Sequence, residues 1–188
     1  EVTINYVITD VEKKRKFVCV DTHDIPVVAV VDPDMMSSMP KGLTAATGMD
    51  ALTHATEAYV SKFHNGFTDP LAKQAVSDIF DSLVASFEGD SAARDQMHIS
   101  QCLAGMAFSN ALLGITHSLA HKIGAIFHIP HGCANAILMP YVIQFNKKAA
   151  LSRYADLARV AGLPGRTDAQ LVISYEKAIG ELNEAMNI

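Results

Sequence analysis

Leu43-Thr44-Ala45-Ala46-Thr47-Gly48-Met49-Asp50-Ala51-Leu52-Thr53-His54-Ala55-Thr56-Glu57-Ala58-Tyr59-Val60-Ser61-Lys62 is the stretch that decides the fold. Its small and apolar residues recur at helical spacing, which predicts one helix across it. The same alanine-, leucine- and methionine-rich texture continues from Pro40 to the end of the chain. A second helix is predicted with Asp69 as its N-cap and Pro70 at the first helical position. Others are predicted from about Ala92 to Leu113, from Thr116 to Phe127, and from just past Pro130-His131-Gly132 toward Lys148. The last begins at Thr167, where Gln170 completes a capping box. Its core stripe is Leu171, Tyr175, Ala178, Leu182 and Met186. Gly162-Leu163-Pro164-Gly165 reads as the loop before it.

The opening thirty residues have another texture. Thr3 to Thr9 and Lys16 to Val20 are rich in β-branched and aromatic residues, and the basic run Lys13-Lys14-Arg15-Lys16 reads as a solvated turn between them. Val27-Val28-Ala29-Val30-Val31 reads as a fully buried strand. After Asp32-Pro33-Asp34 the period changes. The chain therefore divides into residues 1–31, a hairpin plus one strand, and residues 32–188, almost entirely helical. The fold class is mainly α.

Composition narrows the function. The chain has 188 residues, 49% hydrophobic and 19% charged, enough to bury a core. A net charge of −5 offers no footprint for nucleic acid or an anionic membrane. The longest apolar candidate, Cys133 to Ile143, is interrupted by Asn135 and Pro140 and falls short of the ~20 residues of a spanning helix. Cys19, Cys102 and Cys133 are odd in number and lack CxxC spacing, which points to thiols in a reducing compartment, the cytoplasm. The chain opens at Glu1, within a predicted strand and without an initiator methionine, and so reads as a piece of a longer protein.

The chemistry lies in eight histidines. Asp50 and His54 stand four apart, one turn along a helix face, and His117 and His121 repeat that spacing. His131 follows in a Pro-His-Gly loop. Imidazoles mixed with a carboxylate suit Fe²⁺, Mn²⁺ or Zn²⁺. From spacing alone, His117 and His121 form the second ligand pair, and a helical module whose histidines are only core residues stays open. His23, His64 and His98 read as solvated, and His128 as surface or as a neighbour of the site. Thr22-His23-Asp24 resembles the His-Asp dipeptide of metal phosphohydrolases but lies between strands. No GxGxxG, P-loop, HExxH or GxSxG motif is present.

Gly48 to Tyr59, and His117-Ser118-Leu119-Ala120-His121 through Pro130-His131-Gly132-Cys133-Ala134-Asn135-Ala136, are highly similar to signatures of the iron-containing (group III) alcohol dehydrogenases. The resemblance extends over essentially the whole chain. It implies the iron alcohol dehydrogenase/dehydroquinate synthase-like fold, in which a helical domain holds the metal beside an NAD(P)-binding α/β domain. It implies Asp50, His54, His117 and His131 as the ligands of Fe²⁺, with Zn²⁺ as the alternative, and makes His121 a catalytic neighbour of the metal rather than a ligand. Thr3, Val7 and Lys16 match positions that contact NAD or NADP; Asn5, Phe108 and Leu113 match positions lining the substrate pocket. The implied reaction is reversible hydride transfer between NAD(P) and a small primary alcohol or diol, in a homodimer or larger homo-oligomer. The family's phosphate-binding loop would precede residue 1, so the isolated piece is expected to be inactive. A metal-dependent lyase or synthase of the dehydroquinate synthase branch is the alternative.

Overall fold

A hairpin leads into six helices in the computed structural model, which describes residues 2–188. The expectation that Glu1 lies in a strand falls outside the described residues. β1 (Asn5–Asp10) pairs antiparallel with β2 (Arg15–Val20), Asn5 facing Val20 and Asp10 facing Arg15. The turn holds only half of the basic run: Lys14 takes a left-handed φ of 49° and Lys13 N–H donates to Asp10, while Arg15 and Lys16 already belong to β2.

Val27–Val31 is not a buried strand. Val27, Val28 and Val30 are exposed, and the sheet has only two strands among the described residues. An apolar run becomes a strand only beside another strand that takes its backbone hydrogen bonds. Among the described residues no such neighbour is present.

The helices are α1 (Lys41–Val60), α2 (Thr68–Glu88), α3 (Ser91–Ala111), α4 (Ile115–Phe127), α5 (His131–Val160) and α6 (Asp168–Ala185). α1 is the centre, with α2, α3 and α5 packed around it. It is therefore buried on nearly all sides, and Ala51, Ala55 and Ala58 keep its neighbours close. Gly48 is one such place, because a Cβ there would lie 2.2 Å from Leu83 Cδ1.

Two helix boundaries differ from the sequence reading. α2 starts at Thr68, and Asp69 does not cap it. Its carboxylate is instead 2.7 Å from the Arg153 guanidinium, while Asn65 Oδ1 accepts from the Phe67 and Thr68 N–H groups. A charge-assisted partner has taken the carboxylate, and a neighbouring amide satisfies the helix start. α5 continues beyond Lys148 to Val160, with a break in helical geometry at Ala150.

Other starts follow the sequence. Asp90 accepts from Ala93 N–H at the head of α3. Thr167 and Gln170 make both bonds of the capping box, and all five residues of the α6 stripe are buried. No single helix is long and apolar enough to cross a membrane.

The tightest helix contact sits where α5 begins. A Cβ on Gly132 would lie 1.9 Å from the Ala46 carbonyl oxygen of α1, backbone that cannot rotate away. Gly132→Ala is therefore expected to destabilise by about 1–3 kcal/mol through overpacking. Gly180→Ala, with nothing within 4 Å of its Cβ in α6, should stabilise by ~0.5–1 kcal/mol. Urea unfolding midpoints should fall in that order; a Gly132→Ala midpoint at or above wild type would contradict the contact.

Candidate metal centre

Three helices place the histidines. α1 carries Asp50 and His54 one turn apart, the first turn of α4 carries His117, and α5 begins at His131. A bend of 105° between α3 and α4, through Leu112 at φ 63°, swings the start of α4 over α1. The Gly132–Ala46 contact presses the start of α5 onto the same region.

The result is a convergence. Asp50 Oδ1 lies 3.5 Å from His117 Nε2 and 3.6 Å from His131 Nε2. Among the described residues, Asp50, His117 and His131 form one group whose ligand atoms all lie within 4.8 Å of one another. Donors held ~2.0–2.1 Å from one tetrahedral ion stand ~3.3–3.4 Å apart, so the observed spacing is close to that of a ligand set.

His54 and His121 flank this group. The His54 ring stacks between Phe108 and His117, with centroid distances of 4.4 and 4.6 Å. The His121 ring stacks on His131 at 4.9 Å and meets His117 edge-on at 6.4 Å. Neither belongs to the convergent three.

Electrostatics favours a cation here. His117 Nε2 is buried and has no hydrogen-bond partner. Burial opposes charge on His117, yet the carboxylates of Asp50, 3.5 Å from Nε2, and Glu57, which accepts from Nδ1, bring its pKa up to about 9. Burial also works against the Asp50 carboxylate, but His54, His117 and His131 hold it below the usual range. Burial, the other imidazoles and, for His121 and His131, the Lys16 ammonium depress the remaining three. His54 and His121 fall to about 4, and His131 is lowered too. Those rings are neutral near pH 7 and keep lone pairs, as metal ligation requires. The donors present fit a divalent ion of the Fe²⁺ or Zn²⁺ kind.

Sequence reasoning missed two supporting residues. Glu57 is buried and accepts from His117 Nδ1 at 2.8 Å and from the Gly114 and Thr116 N–H groups. Burial raises its pKa, but the His117 hydrogen bond and charge and these backbone donors lower it overall. Asn135, fully buried, donates from Nδ2 to Asp50 Oδ1 at 2.6 Å and stands 3.2 Å from His131 Nε2. Because a carboxylate only accepts, the amide must present its NH₂ there. The available signal was helical spacing: Glu57 follows His54 by three, and Asn135 follows His131 by four.

A cleft of about 520 Å³ opens onto the group. Thr3, Asn5, Val7, Phe108, Leu113 and His121 line it together with Asp50, His54, His117 and His131. Ile4 N–H bonds Ser109 Oγ at 3.1 Å and ties the hairpin to α3. Lys16 lies at the side, its Nζ 3.7 Å from where a Cβ on Gly124 would sit. The other histidines serve elsewhere. His23 bonds Asp21, His64 faces Asp69, His98 contacts the Met36 sulfur, and His128 ends α4 exposed.

Comparison with known proteins points the same way. The NADPH-dependent butanol dehydrogenase of Clostridium saccharobutylicum is 58% identical over 188 residues, all of this chain and 48% of that protein. The lactaldehyde reductase of Escherichia coli K12 is 53% identical over 163 residues, 87% of this chain and 43% of that protein. The chain thus spans about half the length of the curated relatives it matches. The solved alcohol dehydrogenase from Oenococcus oeni superposes with a TM-score of 0.93 at 42% identity, covering 99% of this chain and 50% of that one. Residues 44–188 match the C-terminal part of the Fe-containing alcohol dehydrogenase family. With that match over most of its length, and the metal-type donor set lying within it, the chain belongs to the Fe-containing alcohol dehydrogenase family.

Proposed function

We propose that this chain is the metal-binding part of an alcohol dehydrogenase that transfers hydride reversibly between NAD(P) and a small primary alcohol or diol. The supporting observation is the meeting of His117 Nε2, His131 Nε2 and Asp50 Oδ1 in the cleft of a chain of this family. A module with purely structural histidines leaves the buried, unpartnered His117 Nε2 without explanation. Residues 1–31 are assigned to the end of the nucleotide-binding domain and residues 32–188 to the helical catalytic domain. The names of relatives, a butanol dehydrogenase and a lactaldehyde reductase, support the substrate class.

Asp50, His54, His117 and His131 would hold the metal, Fe²⁺ or, with the same donors, Zn²⁺. His54 is assigned as fourth ligand because it shares the α1 face with Asp50, one turn on. When bound, the ion would supply Lewis acidity toward the substrate hydroxyl, and a nicotinamide cofactor would supply the hydride-transfer chemistry. The chain's own residues do the rest. Phe108, Leu113 and Val7 present apolar surface that excludes water from a short alkyl substrate, with Asn5 as the polar contact. Thr3, Val7 and Lys16 are assigned to the cofactor side. His121, neutral at pH 7 and half-buried in the cleft wall, is assigned to take a proton from the substrate hydroxyl and pass it toward solvent.

We assign the protein to the cytoplasm, supported by its three free thiols. A homodimer or larger assembly is supported by Ile137, Tyr141 and Phe145, an exposed apolar stripe at four-residue intervals along α5.

The direct test is turnover. The whole protein loaded with Fe²⁺ should reduce NAD⁺ or NADP⁺ with a short primary alcohol, lose activity on chelation and regain it with Fe²⁺. The piece spanning residues 1–188 alone should show none. A whole protein that stays inactive with every short alcohol and both cofactors contradicts the assignment.

Two variants separate ligand from proton carrier. His131→Ala should lose the metal, as measured by elemental analysis. His121→Ala should keep metal near wild type while kcat falls about 10²–10⁴-fold. If His121→Ala loses metal as fully as His131→Ala, then His121 is a ligand.

A further inference from the structure

We infer that Glu57 is a positioning residue of the metal centre: its buried carboxylate fixes the His117 ring with Nδ1 protonated and Nε2 turned toward the ion. The inference rests on the metal reading proposed above. It goes further by giving the orientation of a ligand on α4 to a residue on α1.

The geometry is unusually complete. Glu57 Oε2 accepts from Gly114 N–H at 2.9 Å and His117 Nδ1 at 2.8 Å, and Oε1 accepts from Thr116 N–H at 2.7 Å. α4 has no side-chain cap of its own, since its N-cap is Gly114. Glu57 therefore replaces the missing cap from outside, where the helix dipole also favours an anion. Glycine suits the approach, because a Cβ on Gly114 would lie 2.8 Å from Glu57 Oε1 and push the carboxylate aside.

The chemistry then dictates the tautomer. An ionised carboxylate can only accept, so His117 Nδ1 must carry a proton. That leaves Nε2, 3.5 Å from Asp50 Oδ1, as the nitrogen that would give up its proton to ligate. The two backbone bonds stop the carboxylate from following the ring, so the ring is held to the helix start. A negative charge behind the imidazole also strengthens its donation to a cation.

A purely structural cap predicts loss of stability alone, and the two roles can be separated. In the full-length protein, Zn²⁺ affinity is measured by chelator competition for wild type, Glu57→Gln, Glu57→Leu and Asp90→Ala. The last removes a cap from α3, away from the centre. Expected is a loss of about 10–100-fold in affinity for Glu57→Gln, more for Glu57→Leu, and no change for Asp90→Ala at a comparable drop in melting temperature. Nitrogen-15 NMR of the Zn²⁺-loaded wild type should show His117 bound through Nε2, with a strongly deshielded, slowly exchanging Nδ1 proton. That arm holds even if a variant fails to fold. Coordination through Nδ1, or Glu57→Gln affinity within twofold of wild type, overturns the role of Glu57 and leaves the metal centre standing. A wild type that takes up no Zn²⁺ or Fe²⁺ overturns both.

Discussion

The carboxylate of Asp50 is the constraint on which the rest depends. An ionised group with only a fifth of its side-chain surface exposed needs compensation. Here it comes from the Asn135 amide and from imidazoles on three helices. Burial and the repulsion among these rings oppose the carboxylate's attraction for protons, so only His117 is held protonated near neutrality. A divalent ion resolves that conflict better than a proton, because it lets several lone pairs act together.

Packing exists to permit the meeting. Alanines and Gly48 make α1 thin enough to be enclosed by α2, α3 and α5, so its polar face can lie inside. Gly114 and Gly132 admit the starts of α4 and α5 to near contact with α1 groups. Helix starts carry positive dipole ends and unpaired N–H groups, which explains why two acids of α1, Asp50 and Glu57, face them. The hairpin closes one side of the cleft through the Ile4–Ser109 bond.

Much of this was legible in the sequence, for local reasons. α6 and its capping box depend on neighbouring residues, and both match. The histidine motifs identified the right region because spacing along a helix fixes the face a side chain shares. Long-range competition was not legible. Asp69 reads as a cap until Arg153, far along the chain, claims it. Val27–Val31 reads as a strand although pairing depends on a partner elsewhere. Spacing also favoured His121 beside His117, whereas among the described residues Asp50, His117 and His131 converge, with His54 and His121 on either flank. Glu57 went unassigned because its partners are supplied by a chain turn some sixty residues later.

The most direct measurement is a crystal structure of the Fe²⁺-loaded full-length protein with anomalous scattering at the iron edge. Expected is one anomalous peak within about 2.0–2.4 Å of Asp50, His54, His117 and His131, with His121 beside it but not bound. A peak that His54 does not reach while His121 does, or iron sited away from Asp50 altogether, would contradict the centre described here.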